Sequence, residues 1–251
     1  MKTLIDSISL NKMITHVIFD LDGTLVDTIT CTIQSVESIL SKRGLQMSEE
    51  FKEFIPNINR FDHIRQKINA DYNLSLERKE FFQELVKEFS LKNIKLMPGA
   101  ERLIKHLYDQ NIPMAIATGN SKAMIDIIWG EHGEFFQKYI NHFVSAFDDP
   151  EVKNLKPDPE VFLVAAKRFS EPPESMSNVL IFEDSITGIK GAIASQARSI
   201  FVSKLLINSI EHKNLIDKSA LAIESLEHFK PEIFGLKPKN SSKINVEYFN
   251  L

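Results

Sequence analysis

The stretch that most constrains this chain runs from His16 to Asp27. Val17 to Phe19 is a short apolar run of the kind a buried strand requires. It ends on two acids, Asp20 and Asp22, and then on Gly23-Thr24, which reads as a turn. Two carboxylates one residue apart at the end of a buried strand are costly to desolvate unless something neutralises them. A divalent cation does this, and ligand sites in open α/β sheets lie at the carboxyl ends of strands. The stretch therefore points to a metal site with one carboxylate free to react. A plain strand running into a polar turn is the alternative that two aspartates alone would leave open.

The pattern then changes twice. Ile29, Ile33, Val36, Ile39 and Leu40 recur at helical spacing, with Gly44 beyond them as a stop. Ser48 to Phe51 reads as a second helix start, Phe61, Ile64, Arg65 and Ile68 as a third helix, and 76–91 as a strongly amphipathic fourth. Residues 28–94 thus form an all-helical insertion. Its aromatics are expected to pack its own core, and part of its surface to face the site as a lid. After Met97-Pro98-Gly99-Ala100 the chain alternates. Helices are predicted over 101–110, 121–129, 159–169 and 185–195, with Asp158 as N-cap and Pro159 as first helical residue of the third. Strands are predicted over 113–117, 142–146, 179–182, 198–202 and 220–223. Alternation of this kind predicts a parallel sheet with helices on both faces.

Composition excludes more than it identifies. A formal net charge of −4 leaves no basic footprint for nucleic acid, so an anionic substrate needs local positive charge. The single cysteine, Cys31, forbids an intrachain disulfide, has no base beside it, and is expected to be a packed thiol in a reducing compartment. No apolar run approaches the ~18 residues of a membrane span. Residues 1–15 lack the features of a signal or transit peptide, and the tail from Lys237 is polar. The expectation is a cytoplasmic monomer.

Three strand ends carry residues suited to one task. Thr118 offers a hydroxyl, and the Gly119 and Asn120 amides, at a helix start, can point at an oxyanion, although a simple turn would look the same. Lys156 stands in Lys156-Pro157-Asp158-Pro159, where prolines stiffen the backbone beside the amine or merely start a helix. Glu183-Asp184 repeats the acid pair at another strand end, or caps the next helix. In the order acid pair, hydroxyl, lysine, acid pair, these segments together resemble the four motifs of the haloacid dehalogenase superfamily. The inserted helices resemble the helical cap found between its first two motifs. The resemblance implies a Rossmann-like core of residues 1–27 and 95–251 and a cap of residues 28–94.

The segments Phe147 to Val152, Lys156 to Leu163 and Phe229 to Leu236 are similar to the pseudouridine-5′-phosphatase branch, whose plant relatives include glycerol-phosphate phosphatases. Two departures stand out: Thr118-Gly119-Asn120 where that branch often has Thr-Ser-Ser, and Ser195-Gln196-Ala197 where an Ala-Ala-Gly turn is usual. The resemblance implies hydrolysis of a small phosphomonoester, that of pseudouridine being the leading candidate, through a phospho-aspartyl intermediate. It implies Asp20 as nucleophile and Asp22 as general acid and base. It implies Mg²⁺ on Asp20, the Asp22 carbonyl and Asp184, with Glu183 less firmly placed, and Thr118, Gly119, Asn120 and Lys156 on the phosphoryl oxygens. A phosphomutase of the same fold and a non-catalytic phosphate-binding regulator are the rival readings.

Overall fold

The computed structural model describes residues 13–55, 61–203 and 210–238, with the side chains of 210–212 excepted. Most of the N-terminal segment, and the tail beyond 238, lie outside the described residues. The elements in chain order are β1 (His16–Phe19), α1 (Thr28–Ser41), α2 (Glu49–Phe54), α3 (Phe61–Tyr72), α4 (Arg78–Phe89), α5 (Ala100–Asp109), β2 (Met114–Thr118), α6 (Lys122–Tyr139), β3 (His142–Ser145), α7 (Glu160–Lys167), β4 (Val179–Glu183), α8 (Ile186–Ala194), β5 (Arg198–Val202), α9 (Ile210–Lys218) and β6 (Leu221–Ile223).

The six strands form one parallel sheet in the order β3-β2-β1-β4-β5-β6. Its core follows from the two-residue period of a strand. Val17 and Phe19, Met114 and Ile116, and Leu180 and Phe182 enter one apolar cluster with α5 and α6. Ile18, Ala115 and Ala117, and Val179 and Ile181 enter a second with α7 on the opposite face. Both faces of the central strands are therefore covered, which is why these strands read as continuous apolar runs. Phe19 and Phe182 stack at 5.0 Å between centroids, and each is fully buried. Burial of each contributes about 1.5–3 kcal/mol. Edge strand β3 is less covered: Phe143 is largely exposed and leans on Trp129.

Helices α1 to α4 gather around an apolar cluster of their own, which includes Val36, Ile39, Phe51, Ile68, Phe81 and Leu85. Two chain segments join these helices to the sheet, and they pair with each other. Val26 bridges Leu96, Asp27 N donates to Lys95 O at 2.8 Å, and Met97 N donates to Leu25 O at 2.8 Å. Cys31 is buried as a packed thiol, its Sγ facing the Asn93 carbonyl, and burial pushes its pKa up.

Every predicted strand is present, with bounds that differ by a residue or so. The helices differ in three places. Helix α6 continues past Trp129 to Tyr139, because glycine inside a helix costs only about 1 kcal/mol and the extension buries Phe136 against Trp129. Helix α9 falls where no helix was predicted; its Leu215 packs with Ile189 and Phe201. At α7 the N-cap position falls on Pro159, one residue later than expected, while the Asp158 carboxylate still accepts the Glu160 N–H at 3.0 Å.

Candidate active site

Strand order places the site. The neighbours of β1 are β2 on one side and β4 on the other, and the connection leaving β1 runs to β2 while the one leaving β4 runs the opposite way to β5. A crevice opens at such a switch point. Asp20 and Asp22 follow β1, Thr118 ends β2, and Glu183 and Asp184 end β4. The sheet thus brings together groups up to 164 positions apart in the chain, as the numbers of Asp20 and Asp184 show.

Lys156 occupies the centre. Its Nζ donates to Asp20 Oδ1 at 2.6 Å, to Glu183 Oε1 at 2.6 Å and to the Ala117 carbonyl at 3.1 Å. The ammonium also lies 4.9 Å from the centroid of the Phe162 ring. Burial alone would lower the lysine pKa, but Asp20 and Glu183 outweigh it and hold the pKa above the usual value. Lys156 is therefore charged at any ordinary pH.

One lysine does not balance the acids around it. Burial raises the Asp20 pKa, opposed by Lys156 and reinforced by Glu183 and Asp22. Burial also raises Asp184, with Glu183, Asp20 and Asp22 adding to the effect. Oxygen atoms of Asp20, Glu183 and Asp184 all lie within 4.8 Å of one another. An all-oxygen set with excess negative charge fits a hard divalent cation. Glu183 also braces the start of α8, whose N-cap is Ser185. Its second oxygen accepts the Ser185 N–H at 2.9 Å and the Ser185 hydroxyl at 3.0 Å, at the start of α8.

Asp22 is turned to different partners. Asn120 Nδ2 lies 2.7 Å from each of its oxygens, and the Thr118 hydroxyl donates to Oδ2 at 3.1 Å. Burial raises its pKa, while hydrogen bonds from Thr28, Thr118 and Asn120 pull the other way. The Asn120 N–H donates to Thr118 Oγ1 at 3.0 Å. Gly119 is exposed at the turn between them. The two acids of the first motif thus stand in separate surroundings, Asp20 against the lysine and Asp22 against neutral donors. That separation allows two carboxyl groups to do different work.

Several contributors were not expected at the site: Gly23 and Thr24 read only as a turn, and Thr28 and Gly188 carried no signal. Thr24 donates to Asp184 Oδ1 at 3.3 Å, and the Thr28 hydroxyl reaches Asp22 from the first residue of α1. Gly23 has φ +76, and a Cβ there would fall 2.1 Å from Asp184 Oδ2. Gly188 is tighter still: a Cβ would fall 1.7 Å from Glu183 Oε1. Gly188→Ala is therefore expected to push the Glu183 carboxylate off Lys156 and Ser185. Breaking such a buried pair costs about 3–5 kcal/mol, which thermal melting of the variant would show. A melting point equal to wild type would mean that Glu183 repacks freely.

Acids at two strand ends, a hydroxyl at a third and a buried lysine among them form an α/β site suited to phosphate transfer. The chain belongs to the haloacid dehalogenase-like hydrolase family, whose model matches residues 17–202, and it is a phosphoric monoester hydrolase. It is similar to a probable pseudouridine-5′-phosphatase of Drosophila melanogaster, 34% identical over 90% of this chain and 95% of the relative. It is also similar to (DL)-glycerol-3-phosphatase 2 of Arabidopsis thaliana, 36% identical over 91% of this chain and 94% of the relative. A family hydrolase structure from Entamoeba histolytica shares the fold, with TM-score 0.68, 24% identity and coverage of 88% of this chain and 97% of its own.

Proposed function

We propose that the chain is a Mg²⁺-dependent phosphatase of a small phosphomonoester that works through a phospho-aspartyl intermediate. The observation that supports this best is the separation of Asp20 from Asp22: one acid lies against Lys156 and the acidic trio, the other against Thr118 and Asn120. Asp20 attacks phosphorus and splits one difficult displacement into two easier ones. Asp22 protonates the leaving oxygen, then takes a proton from the water that hydrolyses the aspartyl phosphate. Lys156, Thr118 and the amides of the Gly119-Asn120 turn offset charge on the phosphoryl oxygens. Asp20, Glu183 and Asp184, with the Asp22 carbonyl, would hold Mg²⁺, which when bound supplies charge stabilisation and in-line orientation.

Helices α1 to α4, residues 28–94, act as the cap that selects the leaving group, over a core of residues 1–27 and 95–251. A cap over one sheet edge favours a small metabolite over nucleic acid or a phosphoprotein, as does the net charge of −4. Among the described residues no helix is long and apolar enough to cross a membrane, and a reducing cytoplasmic setting suits the single buried thiol. The leading substrate is pseudouridine 5′-phosphate and the second glycerol phosphate, the names carried by the two relatives. Comparison of kcat/KM for these two, uridine 5′-phosphate, sugar phosphates and a phosphopeptide tests the assignment. Preference for the phosphopeptide overturns the capped-site reading, and isomerisation of a sugar bisphosphate would mark a mutase.

The metal has its own test. The raised pKa values of Asp20 and Asp184 mean that the metal-free folded protein holds protons that the unfolded chain releases. The stability these two groups contribute therefore declines as pH rises from the ordinary carboxylate value through their raised values. Added Mg²⁺ competes with those protons, so its stabilisation should be larger at pH 8 than at pH 5. Chelation should abolish turnover, and Mg²⁺ restore it. Full activity in EDTA removes the metal from the mechanism.

A further inference from the structure

We propose that the Asn120 side chain is a positioning group for Asp22, fixing the carboxyl group that serves the leaving oxygen, and is not itself a ligand of the phosphoryl group. The inference rests on the phosphatase reading above. The side chain is 8% exposed, and its single nitrogen reaches both Asp22 oxygens at 2.7 Å. An uncharged amide that already spans a carboxylate has no second donor nitrogen to offer a phosphoryl oxygen.

The backbone of Asn120 is held on both sides. Its N–H donates to Thr118 Oγ1 at 3.0 Å, and its carbonyl accepts the Ser145 hydroxyl at 2.7 Å. Ser145 in turn accepts the Asp148 N–H at 3.1 Å, and the Asp148 carboxylate accepts the Lys122 N–H at the start of α6. The loop after β3 thus clamps the turn after β2, and the amide projects from a fixed origin. Thr118 bonds only Oδ2 of Asp22 and Thr28 adds a further hydroxyl contact, whereas Asn120 spans both oxygens. Serine, which the branch this chain resembles often carries here, has one donor on a shorter arm and cannot bridge both oxygens. Asparagine therefore holds Asp22 at an orientation that serine would set less firmly.

A general acid matters only when the leaving group needs a proton. Glycerol leaves as a strong base, whereas p-nitrophenolate leaves unaided. The test is kcat/KM of wild type, Asn120→Ala and Asn120→Ser on glycerol 3-phosphate and on p-nitrophenyl phosphate, with Ki for inorganic phosphate and thermal melting of each. Asn120→Ala should lower kcat/KM for glycerol 3-phosphate by about 100-fold and for p-nitrophenyl phosphate by less than about threefold, the asymmetry of a lost general acid. Phosphate Ki should stay within about twofold, since positioning of Asp22 leaves the phosphoryl contacts in place. Asn120→Ser, which keeps a donor, should recover part of the glycerol phosphate rate and serves if the alanine variant does not fold. Equal losses on both substrates with a raised phosphate Ki would make Asn120 a phosphate ligand and overturn the proposal. Unchanged rates on both would overturn it as well. A wild-type protein inactive on every phosphomonoester overturns the phosphatase reading itself, and the inference with it.

Discussion

Asp20→Asn is expected to reduce turnover to background while the protein stays folded. The amide has the shape of the carboxylate but not the charge that attacks phosphorus. The loss should be on the order of 10⁴-fold or more, as for removal of other covalent nucleophiles. The fold should survive because Asp20 is a strained acid: burial, Glu183 and Asp22 all raise its pKa. Neutralising it removes repulsion from Glu183 and Asp184, and Lys156 keeps its bond to Glu183 at 2.6 Å. The metal-free variant should therefore melt no lower than metal-free wild type. Turnover measured on p-nitrophenyl phosphate, beside a thermal melt, decides the matter. A variant that keeps a tenth of wild-type activity would remove Asp20 from the nucleophile's role.

The parts of this fold that were legible in the sequence are those in which local pattern and global position agree. Val17 to Phe19, Met114 to Ala117 and Val179 to Phe182 read as buried strands because helices cover both faces. Each then ends in polar residues, because the carboxyl edge of the sheet is where a parallel α/β fold exposes its ligand site. The length of α6 was hidden by Gly130 and Gly133, which look like stops until Trp129 and Phe136 are seen to stack across that turn at 5.3 Å. Helix α9 was hidden because few of its residues are apolar; Leu215 acquires its meaning only from Phe201 and Ile189 across the sheet face.

At the site, residue types were legible and partners were not. The prolines beside Lys156 left its role open and the resemblance implied a phosphoryl contact; that its amine sits between Asp20 and Glu183 is a tertiary fact. Thr28 and Gly188 carry no local signal, because their roles arise from the approach of Asp22 and Glu183. Asn120 lay within a legible motif, yet the target of its side chain depends on how the turns after β1 and β2 meet.

Lys156→Met should have the broadest effect of any single change outside the nucleophile. Methionine keeps most of the length and apolar stem but deletes the one ammonium among the described residues that pairs with Asp20 and Glu183. Asp20 and Glu183 are almost completely buried, so neither recovers the lost partner by turning to water. Loss of one member of such a cluster costs about 3–5 kcal/mol of stability. Catalysis should suffer separately, since Lys156 offsets charge on the phosphoryl oxygens where water is scarce; a loss of about 10³-fold is expected. The same change takes away the main influence that opposes burial at Asp20, so the nucleophile's pKa rises further. An acid with a raised pKa is ionised over a narrower alkaline range, and residual activity should therefore shift toward higher pH. Added Mg²⁺ should restore part of the stability, because a cation on Asp20 and Glu183 supplies some of the missing charge, but not the rate. Thermal melting with and without Mg²⁺, together with a pH–rate profile, measures all three effects. A variant that melts like wild type and retains most of its turnover would show that the lysine is not the counter-charge on which the site depends.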